Sequence, residues 1–297
     1  KSISLDIDIR LDIYALLIMK LRYEINNKLV SFKVPDNTYF FRGNDENLSR
    51  KYRDITLNCS WYNSGFTIHN LRESLDFEQL KSRLSETIKD VISNTNEDIS
   101  LERFSLEKYH KYVNHKTHLN VIKKTRRLYS TDLKFDDRKV ISVIEELINL
   151  PLSYNLPGTD FKVWVIARIN TPNSISFNPA HKDIYESFDR DNYIPQMINV
   201  WIPICGVNQS TGLAMVPGSH LLNENKIERT KAGSFFEGNK YNVNCIKSWN
   251  RESSMKLISP KEGSALIFSS HLIHGLGINN NNDETRVSLE FRLYKKN

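Results

Sequence analysis

Two histidines and one carboxylate in this chain have the residue types and the spacing that could bind a metal ion. His181 and Asp183 form an H-x-D segment, and His274 begins an H-G-x-G segment far downstream. Two imidazoles and one carboxylate on one face of an ion, with the other positions open, are the facial triad that binds non-haem Fe(II). Twelve positions after His274, Arg286 begins an R-x-S segment. A cation at that place is what an acidic co-substrate would need.

The spacing of His181 and Asp183 has a physical reason if the segment is an extended strand. Residues i and i+2 of a strand point to the same side, so both side chains could reach one ion while Lys182 turns away. H-x-D alone occurs by chance in many chains. The ordered series H-x-D, H-G-x-G and R-x-S, with each segment on a predicted strand, is much more specific.

The elements that must position these residues belong to a chain of 297 residues with a net charge of +6. No linker or internal repeat is recognisable, so we expect one domain over residues 1–297. The charge is too mild and too dispersed to indicate nucleic-acid binding. The longest apolar run, 13–19, is too short to cross a bilayer, and the start lacks the pattern of a secretory signal. Three cysteines without a C-x-x-C pair favour a reducing compartment, and we expect a cytoplasmic protein.

The first half of the chain carries mixed patterns. Two amphipathic stretches predict helices from about Asp76 to Ser93 and from about Asp137 to Leu150, and Asp76 has capping-box spacing to Gln79. A mixture of helix and loop is expected over 101–130. Strands are predicted at 3–13, 29–34 and 55–60, and a short helix at 17–21.

After Pro151 the pattern changes to short strands separated by turns. Helices first and strands after indicate an α+β chain built on an antiparallel sandwich or barrel. The last strand alternates cleanly, with Val287, Leu289, Phe291 and Leu293 on the face opposite to Arg286. The predicted strands are 161–169, 197–205, 213–216, 264–268 and 287–294.

Taken with Trp201 and the turn segment Gly212–His220, these motifs resemble the phytanoyl-CoA dioxygenase-like family. The resemblance covers roughly residues 160–294, and a weaker match begins at Gly65. Residues 1–60 and 95–155 carry no family signal. The resemblance implies a double-stranded β-helix (a cupin-like jelly roll) with flanking helices and an N-terminal extension. It also implies an oxygenase that requires Fe(II), 2-oxoglutarate and O2.

Carried over position by position, the resemblance assigns His181, Asp183 and His274 as the iron ligands. It assigns Arg286 as the salt-bridge partner of the distal carboxylate of 2-oxoglutarate, because a guanidinium fork pairs both carboxylate oxygens. Ser288 would add a hydroxyl donor to the same carboxylate.

Two further residues are expected near the co-substrate. The resemblance places Trp201 beside it, and Asn199 lies on the same strand face as Trp201, although a plain core role for Asn199 is an equal alternative. Leu276 departs from the family pattern, since many relatives have a small hydroxyl residue there, and one hydrogen bond to the co-substrate is therefore in doubt.

Other interpretations of individual residues stay open. His271 rivals His274 as a ligand, but the glycines that follow His274 favour the latter. His220 is a further metal candidate that is more simply part of a tight turn. The basic stretch 110–127 is either a solvated helical face or a wall that binds an anionic substrate.

The expected function is oxidation of a small molecule, with hydroxylation as the default and desaturation or ring closure as further outcomes. Asp183 argues against a halogenase, which needs that carboxylate replaced. The substrate would be set by loops 184–196 and 221–250, and we expect a polar or acidic metabolite. No nucleic-acid or membrane partner is expected, and the protein would be a monomer or a simple homo-oligomer.

Two other classes of protein compete with this hypothesis. A non-catalytic binding protein on the same fold would usually have lost a ligand or the arginine. A hydrolase that uses zinc would have no need for Arg286 and Ser288.

Overall fold

The computed structural model describes residues 18–35, 37–43, 48–50, 53–95, 99–176, 178–231, 234–236, 239–241 and 244–296. The strand predicted at 3–13 lies outside these residues. The helices are α1 Phe77–Thr95, α2 His115–Thr125, α3 Asp137–Ile148 and α4 Ile184–Asp191, with 3₁₀ segments at Leu106–Lys111, Ser219–Leu221 and Glu224–Lys226. The strands are β1 Ile18–Ile25, β2 Lys28–Pro35, β3 Phe41–Arg42, β4 Phe66–Asn70, β5 Leu152–Ser153, β6 Ile166–Asn170, β7 Ser174–Ser176, β8 Met197–Cys205, β9 Leu213–Met215, β10 Ile227–Arg229, β11 Ser234–Phe236, β12 Asn239–Tyr241, β13 Ile246–Trp249, β14 Ser254–Ile258, β15 Ser264–Ser269, β16 His274–Asn279 and β17 Arg286–Lys295.

Four strands from each of two six-stranded sheets form the centre of the fold, and the chain repeatedly crosses between the two sheets. One sheet has the neighbour order β6-β17-β8-β15, and the other has the order β7-β16-β9-β14. The pairings within both sets are antiparallel. The chain passes from β6 to β7, then to β8 and β9, and returns through β14, β15, β16 and β17. This is the double-stranded β-helix expected from the sequence, and it spans nearly the predicted range.

The two predicted helices in the first half are confirmed, and both pack on the outer face of the first sheet. The Asp76 carboxylate accepts the Gln79 N–H at 2.9 Å, so the capping residue lies where the sequence placed it. α3 ends at Asn149, which adopts a left-handed conformation. Residues of β17 share one core with both helices: Leu80, Leu84, Ile88 and Ile92 of α1, Val140, Ile144 and Ile148 of α3, and Val287, Leu289, Phe291 and Leu293 of β17. The opposite face of β17 is thereby directed to the interior of the β-helix.

The short helix predicted at 17–21 is wrong. β1 and β2 form an antiparallel hairpin, and the end of β1 pairs in parallel with β14 at the edge of the second sheet. Leu21, Tyr23 and Ile25 are buried between exposed neighbours. That period of two suits a strand, and pairing with the hairpin partner overrides the weak helical spacing.

The strand predicted at 55–60 is also wrong, because a side chain caps the backbone there. The Asp54 carboxylate accepts both the backbone N–H and the hydroxyl of Thr56, at 2.9 and 2.8 Å. Such local bonds favour a turn over a sheet ladder. The strand predicted at 29–34 is confirmed by β2.

The segments expected to be loops around the substrate contain regular elements. α4 occupies much of 184–196, and β10 to β13 lie within 221–250. The strand predicted at 161–169 begins later than expected, at Ile166, because the preceding residues form one arm of an irregular hairpin. Among the described residues, no helix is long and apolar enough to cross a membrane.

Candidate active site

His181, Asp183 and His274 come together inside the β-helix. Each residue offers one possible metal-binding atom, an imidazole nitrogen or a carboxylate oxygen, and these three atoms lie within 4.8 Å of one another. His274 is the first residue of β16, and Asp183 directly precedes α4. All three side chains are at most 9% exposed. The described residues contain no other cluster of this kind.

Asp183 reaches the cluster by a route that the sequence analysis did not anticipate. His181 pairs with His274 as an isolated bridge, but Asp183 has helical backbone angles, with φ −64° and ψ −25°. The expected extended H-x-D strand is therefore wrong. A turn into α4, and not strand alternation, places the carboxylate beside the imidazoles. Lys182 does turn away, and its Nζ lies 2.8 Å from a carboxylate oxygen of Glu224.

Backbone carbonyls orient both imidazoles. Nδ1 of His181 lies 2.6 Å from the carbonyl oxygen of Pro179, and Nδ1 of His274 lies 3.0 Å from that of Leu272. A carbonyl can only accept, so both Nδ1 atoms carry the proton and both Nε2 lone pairs are free to bind a metal. Burial lowers the pKa of His274 to about 4, which keeps this imidazole neutral at physiological pH.

Two donors hold the carboxylate of Asp183. The amide of Asn199 donates to one oxygen at 2.6 Å, and the guanidinium of Arg292 donates to the other at 2.5 Å. Burial opposes ionisation of Asp183. Arg292 and the two neighbouring histidines outweigh it, so the pKa of the carboxyl lies well below its usual range. Asn199 thus contacts the acidic residue of the cluster, and Arg292 is a residue that the sequence analysis missed.

Arg286 is buried beside the cluster without a carboxylate within ion-pair distance among the described residues. Its Nε donates to the carbonyl of Thr211 at 2.6 Å, and Nη1 donates to the side-chain oxygen of Asn170 at 2.8 Å. Burial lowers the pKa of Arg286 to about 10, so it stays charged at neutral pH. An unpaired buried cation is costly, and an anionic ligand would compensate it.

Trp201 and Ser288 flank this arginine. The guanidinium carbon of Arg286 lies 5.2 Å from the centre of the Trp201 ring, within the range of a cation–π contact. The hydroxyl of Ser288 is buried and has no hydrogen-bond partner among the described residues. Trp201, Arg286 and His274 line one small cavity.

The donor set and this small cavity fit Fe(II) and 2-oxoglutarate. Two imidazoles and an ionised carboxylate suit Fe(II). A buried guanidinium next to an unpaired hydroxyl suits a carboxylate. The Ser288 hydroxyl has no partner among the described residues, and the five N–H groups of the Arg286 guanidinium make three hydrogen bonds. His274 lines both this cavity and a larger one, and His181 and Asp183 line the larger one only.

The larger cavity has a volume of about 530 Å³ and opens to solvent above the cluster. Its inner wall includes Phe268, Phe291 and Tyr294. Two ion pairs contribute to its charged lining, because Arg292 bonds Asp183 and Arg168 bonds Glu290. The sequence gives no sign of these pairs beyond the alternation of β17, since their partners are distant in the chain.

The rival candidates lie outside the cluster. His271 is buried, and burial lowers its pKa to about 4. His220 packs edge-on against Tyr62 with ring centres 4.8 Å apart, in the turn that was expected.

Leu276 is buried in an apolar core with a φ of +58°. The stretch 110–127 supplies none of the described lining of the larger cavity, and its residues His110 and Lys111 contact Asp283 instead.

Comparison with known proteins identifies one family. The sequence model of the family described as phytanoyl-CoA dioxygenase (PhyH) matches residues 71–288. No curated protein sequence matches the chain significantly.

Several solved structures resemble the fold weakly. The apo form of the non-heme monooxygenase ThoJ aligns over 84% of this chain and 77% of its own, with 15% identity and a TM-score of 0.43. AviO1 from Streptomyces viridochromogenes Tue57 aligns over 84% and 94%, with 14% identity and a TM-score of 0.42. The 2-oxoglutarate-dependent epimerase SnoN from nogalamycin biosynthesis aligns over 84% and 82%, with 16% identity and a TM-score of 0.36.

Proposed function

The chain belongs to the phytanoyl-CoA dioxygenase family, and from this premise we propose that it oxidises a C–H bond of a small metabolite, with hydroxylation as the default outcome. Oxygenases of this family use Fe(II), 2-oxoglutarate and O2, so the protein is a 2-oxoglutarate-dependent oxidoreductase. The proposal depends on one juxtaposition. A cluster of two histidines and one carboxylate lies beside the buried Arg286, which has no described carboxylate partner.

Each residue of the site has a distinct role in this proposal. Iron, 2-oxoglutarate and O2, when bound, supply the oxidising power that removes hydrogen from an unactivated C–H bond, and 2-oxoglutarate leaves as succinate and CO2. His181, Asp183 and His274 would bind the iron. The backbone bonds at each Nδ1 hold both imidazoles in the tautomer that a metal requires.

The co-substrate would be held by the neighbouring groups. Arg286 would pair with the distal carboxylate, and Ser288 would donate its hydroxyl to the same group. Trp201 stacks on the guanidinium and keeps water from it. Asn199 fixes the orientation of Asp183, so it supports the metal and not the co-substrate directly.

The type of oxidation is also proposed from the residues of this site. Asp183 keeps a carboxylate among the proposed ligands, which favours oxygenation over halogenation. Hydroxylation, desaturation and ring closure share the removal of hydrogen, and the bound substrate decides among them. We also propose that residues 1–297 form one domain that acts as a monomer or a simple homo-oligomer.

The test is an anaerobic titration of the protein with Fe(II) and 2-oxoglutarate, followed by the visible charge-transfer absorption of the chelated iron. The wild type should develop the band, and Arg286→Ala should weaken it. Arg138→Ala is the matched control, because the Arg138 side chain is 88% exposed on α3. Asp183→Ala and His274→Ala should abolish succinate formation linked to a substrate.

Two results would overturn the proposal. Folded wild-type protein that develops no band would exclude the iron and 2-oxoglutarate site. An activity that proceeds without 2-oxoglutarate and O2 would support the metal hydrolase considered from the sequence.

A further inference from the structure

Large apolar side chains that face solvent are concentrated at the mouth of the larger cavity. Four of them line it: Phe161 is 75% exposed, Trp164 46%, Leu156 41% and Tyr129 39%. We call these four residues the apolar rim. Exposed aromatic and aliphatic surface gathered around one concavity is typical of a binding site. The rim continues inward to the proposed metal donors, because His181, Asp183 and His274 line the same cavity.

Most of the apolar rim is carried by one irregular hairpin that precedes β6. The hairpin is closed by backbone bonds from Val163 to Tyr154 at 2.8 Å and from Leu156 to Phe161 at 2.9 Å. These bonds place Leu156 and Phe161 opposite each other near its tip. The arm then pairs with the main body through Val165 and Leu128 at 2.7 and 3.1 Å. The rim is therefore built on hydrogen-bonded backbone.

Trp164 is held in a fixed orientation within the apolar rim. Its indole N–H donates to the hydroxyl of Tyr129 at 3.1 Å, and the guanidinium of Arg127 lies 5.1 Å from the ring centre. Arg127 does not belong to the described lining of the cavity, whereas Trp164 does. A braced indole presents a flat surface at little entropic cost, since its side chain is already ordered.

The described charges of the cavity give no reason for an acidic ligand at this wall. Its two basic lining residues already have carboxylate partners. Lys162 lies 2.8 Å from Asp137, and Arg292 lies 2.5 Å from Asp183. Glu186, which also lines the cavity, adds a negative charge. Recognition at the rim would thus depend on apolar contact.

We propose that the apolar rim binds the ring system of a substrate that carries a flat, fused-ring hydrocarbon face, and that Phe161 and Trp164 determine this specificity. The inference rests on the proposed oxygenase function, because it names the class of molecule brought to that site. A volume of about 530 Å³ lies within the range of about 300–1,000 Å³ that holds drug-sized ligands. The substrate is then larger and less polar than the acidic metabolite expected from the sequence.

The test compares three carboxylic acids that differ in the rest of the molecule: 2-naphthoic acid, decanoic acid and gluconic acid. Their binding is measured by isothermal titration calorimetry, both to the metal-free protein and anaerobically with saturating Fe(II) and 2-oxoglutarate. Saturation with 2-oxoglutarate keeps the probes away from Arg286. Naphthoate should bind saturably and at least about tenfold more tightly than decanoate, and gluconate should bind weakest.

The variants assign binding to the apolar rim. Phe161→Ala and Trp164→Ala should each weaken naphthoate binding about tenfold or more, whereas Trp164→Phe, which keeps a ring, should retain most of it. Leu156→Ala has a matched control in Leu119→Ala, because Leu119 is 53% exposed on α2 and lies outside the cavity lining. Leu156→Ala should weaken naphthoate binding, and Leu119→Ala should leave it unchanged.

Several outcomes would overturn the inference. These are absence of saturable naphthoate binding, equal or tighter binding of decanoate or gluconate, or rim variants that bind naphthoate like the wild type. The charge-transfer band is measured in the same samples. A missing band with rim-dependent naphthoate binding would refute the oxygenase proposal alone, and a normal band without rim-dependent binding would refute the inference alone.

Discussion

His181 and His274 exchange both of their backbone hydrogen bonds. The N–H of each residue donates to the carbonyl of the other, at 2.8 and 3.0 Å, and the two ring centres lie 4.4 Å apart. Such a reciprocal pair fixes two residues of distant chain segments directly opposite each other. The distance between the two imidazoles is therefore set by backbone, which makes the pair a preorganised part of the site.

Gly275→Ala is expected to disrupt this pair. Gly275 has a φ of +149°, and a Cβ there would lie 2.5 Å from the carbonyl oxygen of Pro179. That oxygen also accepts the Nδ1 proton of His181, so a shift of Pro179 would misorient the imidazole. We expect Fe(II) affinity to fall at least about tenfold, the lower end of the loss typical when partners of metal ligands are removed. Anaerobic Fe(II) titration measures the change.

Gly158→Ala is the control for the backbone effect. Gly158 also has a positive φ, +75°, but a Cβ there would meet nothing within 4 Å. It should lower the stability by about 1 kcal/mol through backbone strain and leave iron affinity unchanged. Equal iron affinity in both variants would show that the close approach of residue 275 to Pro179 has no effect on the metal site.

Arg286→Gln should remove the affinity for 2-oxoglutarate without unfolding the protein. Losing one partner of a buried, hydrogen-bonded charge pair costs about 2–5 kcal/mol, which corresponds to about 30-fold or more in the dissociation constant. The metal-free variant should be as stable as the wild type or more stable, because an unpaired buried charge is removed. Calorimetric titration with 2-oxoglutarate and urea denaturation test the two statements. Unchanged affinity would contradict the assignment of Arg286.

Lys182→Met should destabilise the fold, because the lysine neutralises a buried carboxylate. Both members of the Lys182–Glu224 pair have side chains only 1% exposed, and Tyr185 also donates to Glu224 at 2.9 Å. Breaking a buried pair from one side costs about 3–5 kcal/mol. The loss should lie near the lower end of that range, because Nε of the buried Arg229 lies 3.9 Å from the other carboxylate oxygen of Glu224. The double variant Lys182→Met with Glu224→Gln should recover part of that loss, since glutamine can still accept the tyrosine bond.

A surface pair provides the comparison for Lys182. Lys247→Met breaks a pair with Glu228 in which both side chains are partly exposed, at 40% and 22%. Its loss should be below about 1 kcal/mol. Urea denaturation of the three variants measures the differences, and equal losses at Lys182 and Lys247 would show that burial of the pair has no energetic consequence.

His271 should contribute to acid sensitivity of the fold. Burial lowers its pKa to about 4, against an ordinary value near 6.5; nearby Asp54 and Glu224 favour the charged form, and Lys182 and His220 oppose it. Because the folded pKa is depressed, the unfolded chain binds more protons between these values. The stabilising effect is fully present above about pH 6.5 and is lost as the pH falls towards 4.

The measurement is the free energy of unfolding against pH for the wild type and His271→Gln. Across pH 4 to 6.5 the wild-type slope should exceed that of the variant by up to about 1.4 kcal/mol per pH unit, the value for one proton. Titrating groups that do not interact with His271 contribute equally to both proteins and cancel. Parallel curves would contradict the buried, neutral histidine.

Metal and carboxylate binding depend on residue type and order, so the residues proposed to bind the metal and the co-substrate can be named from the sequence. The H-x-D and H-G-x-G segments indicate His181, Asp183 and His274, and the structure brings one donor atom of each within 4.8 Å of the others. The alternation of β17 predicted correctly which face joins the helical core, since a strand with one buried face must repeat every two residues. α1 and α3 were equally visible, because their apolar spacing and capping residues are local signals.

Only the tertiary structure decided how these residues meet. The bond from Arg292 to the Asp183 carboxylate and the pairing of β1 with β14 both join segments distant in the chain. The apolar rim also depends on distant contacts, because the backbone pairing of Leu128 with Val165 brings Tyr129 and Trp164 to one cavity. Composition and spacing report the preferences of short segments. Contacts between distant segments depend on packing and hydrogen bonding that no short segment contains.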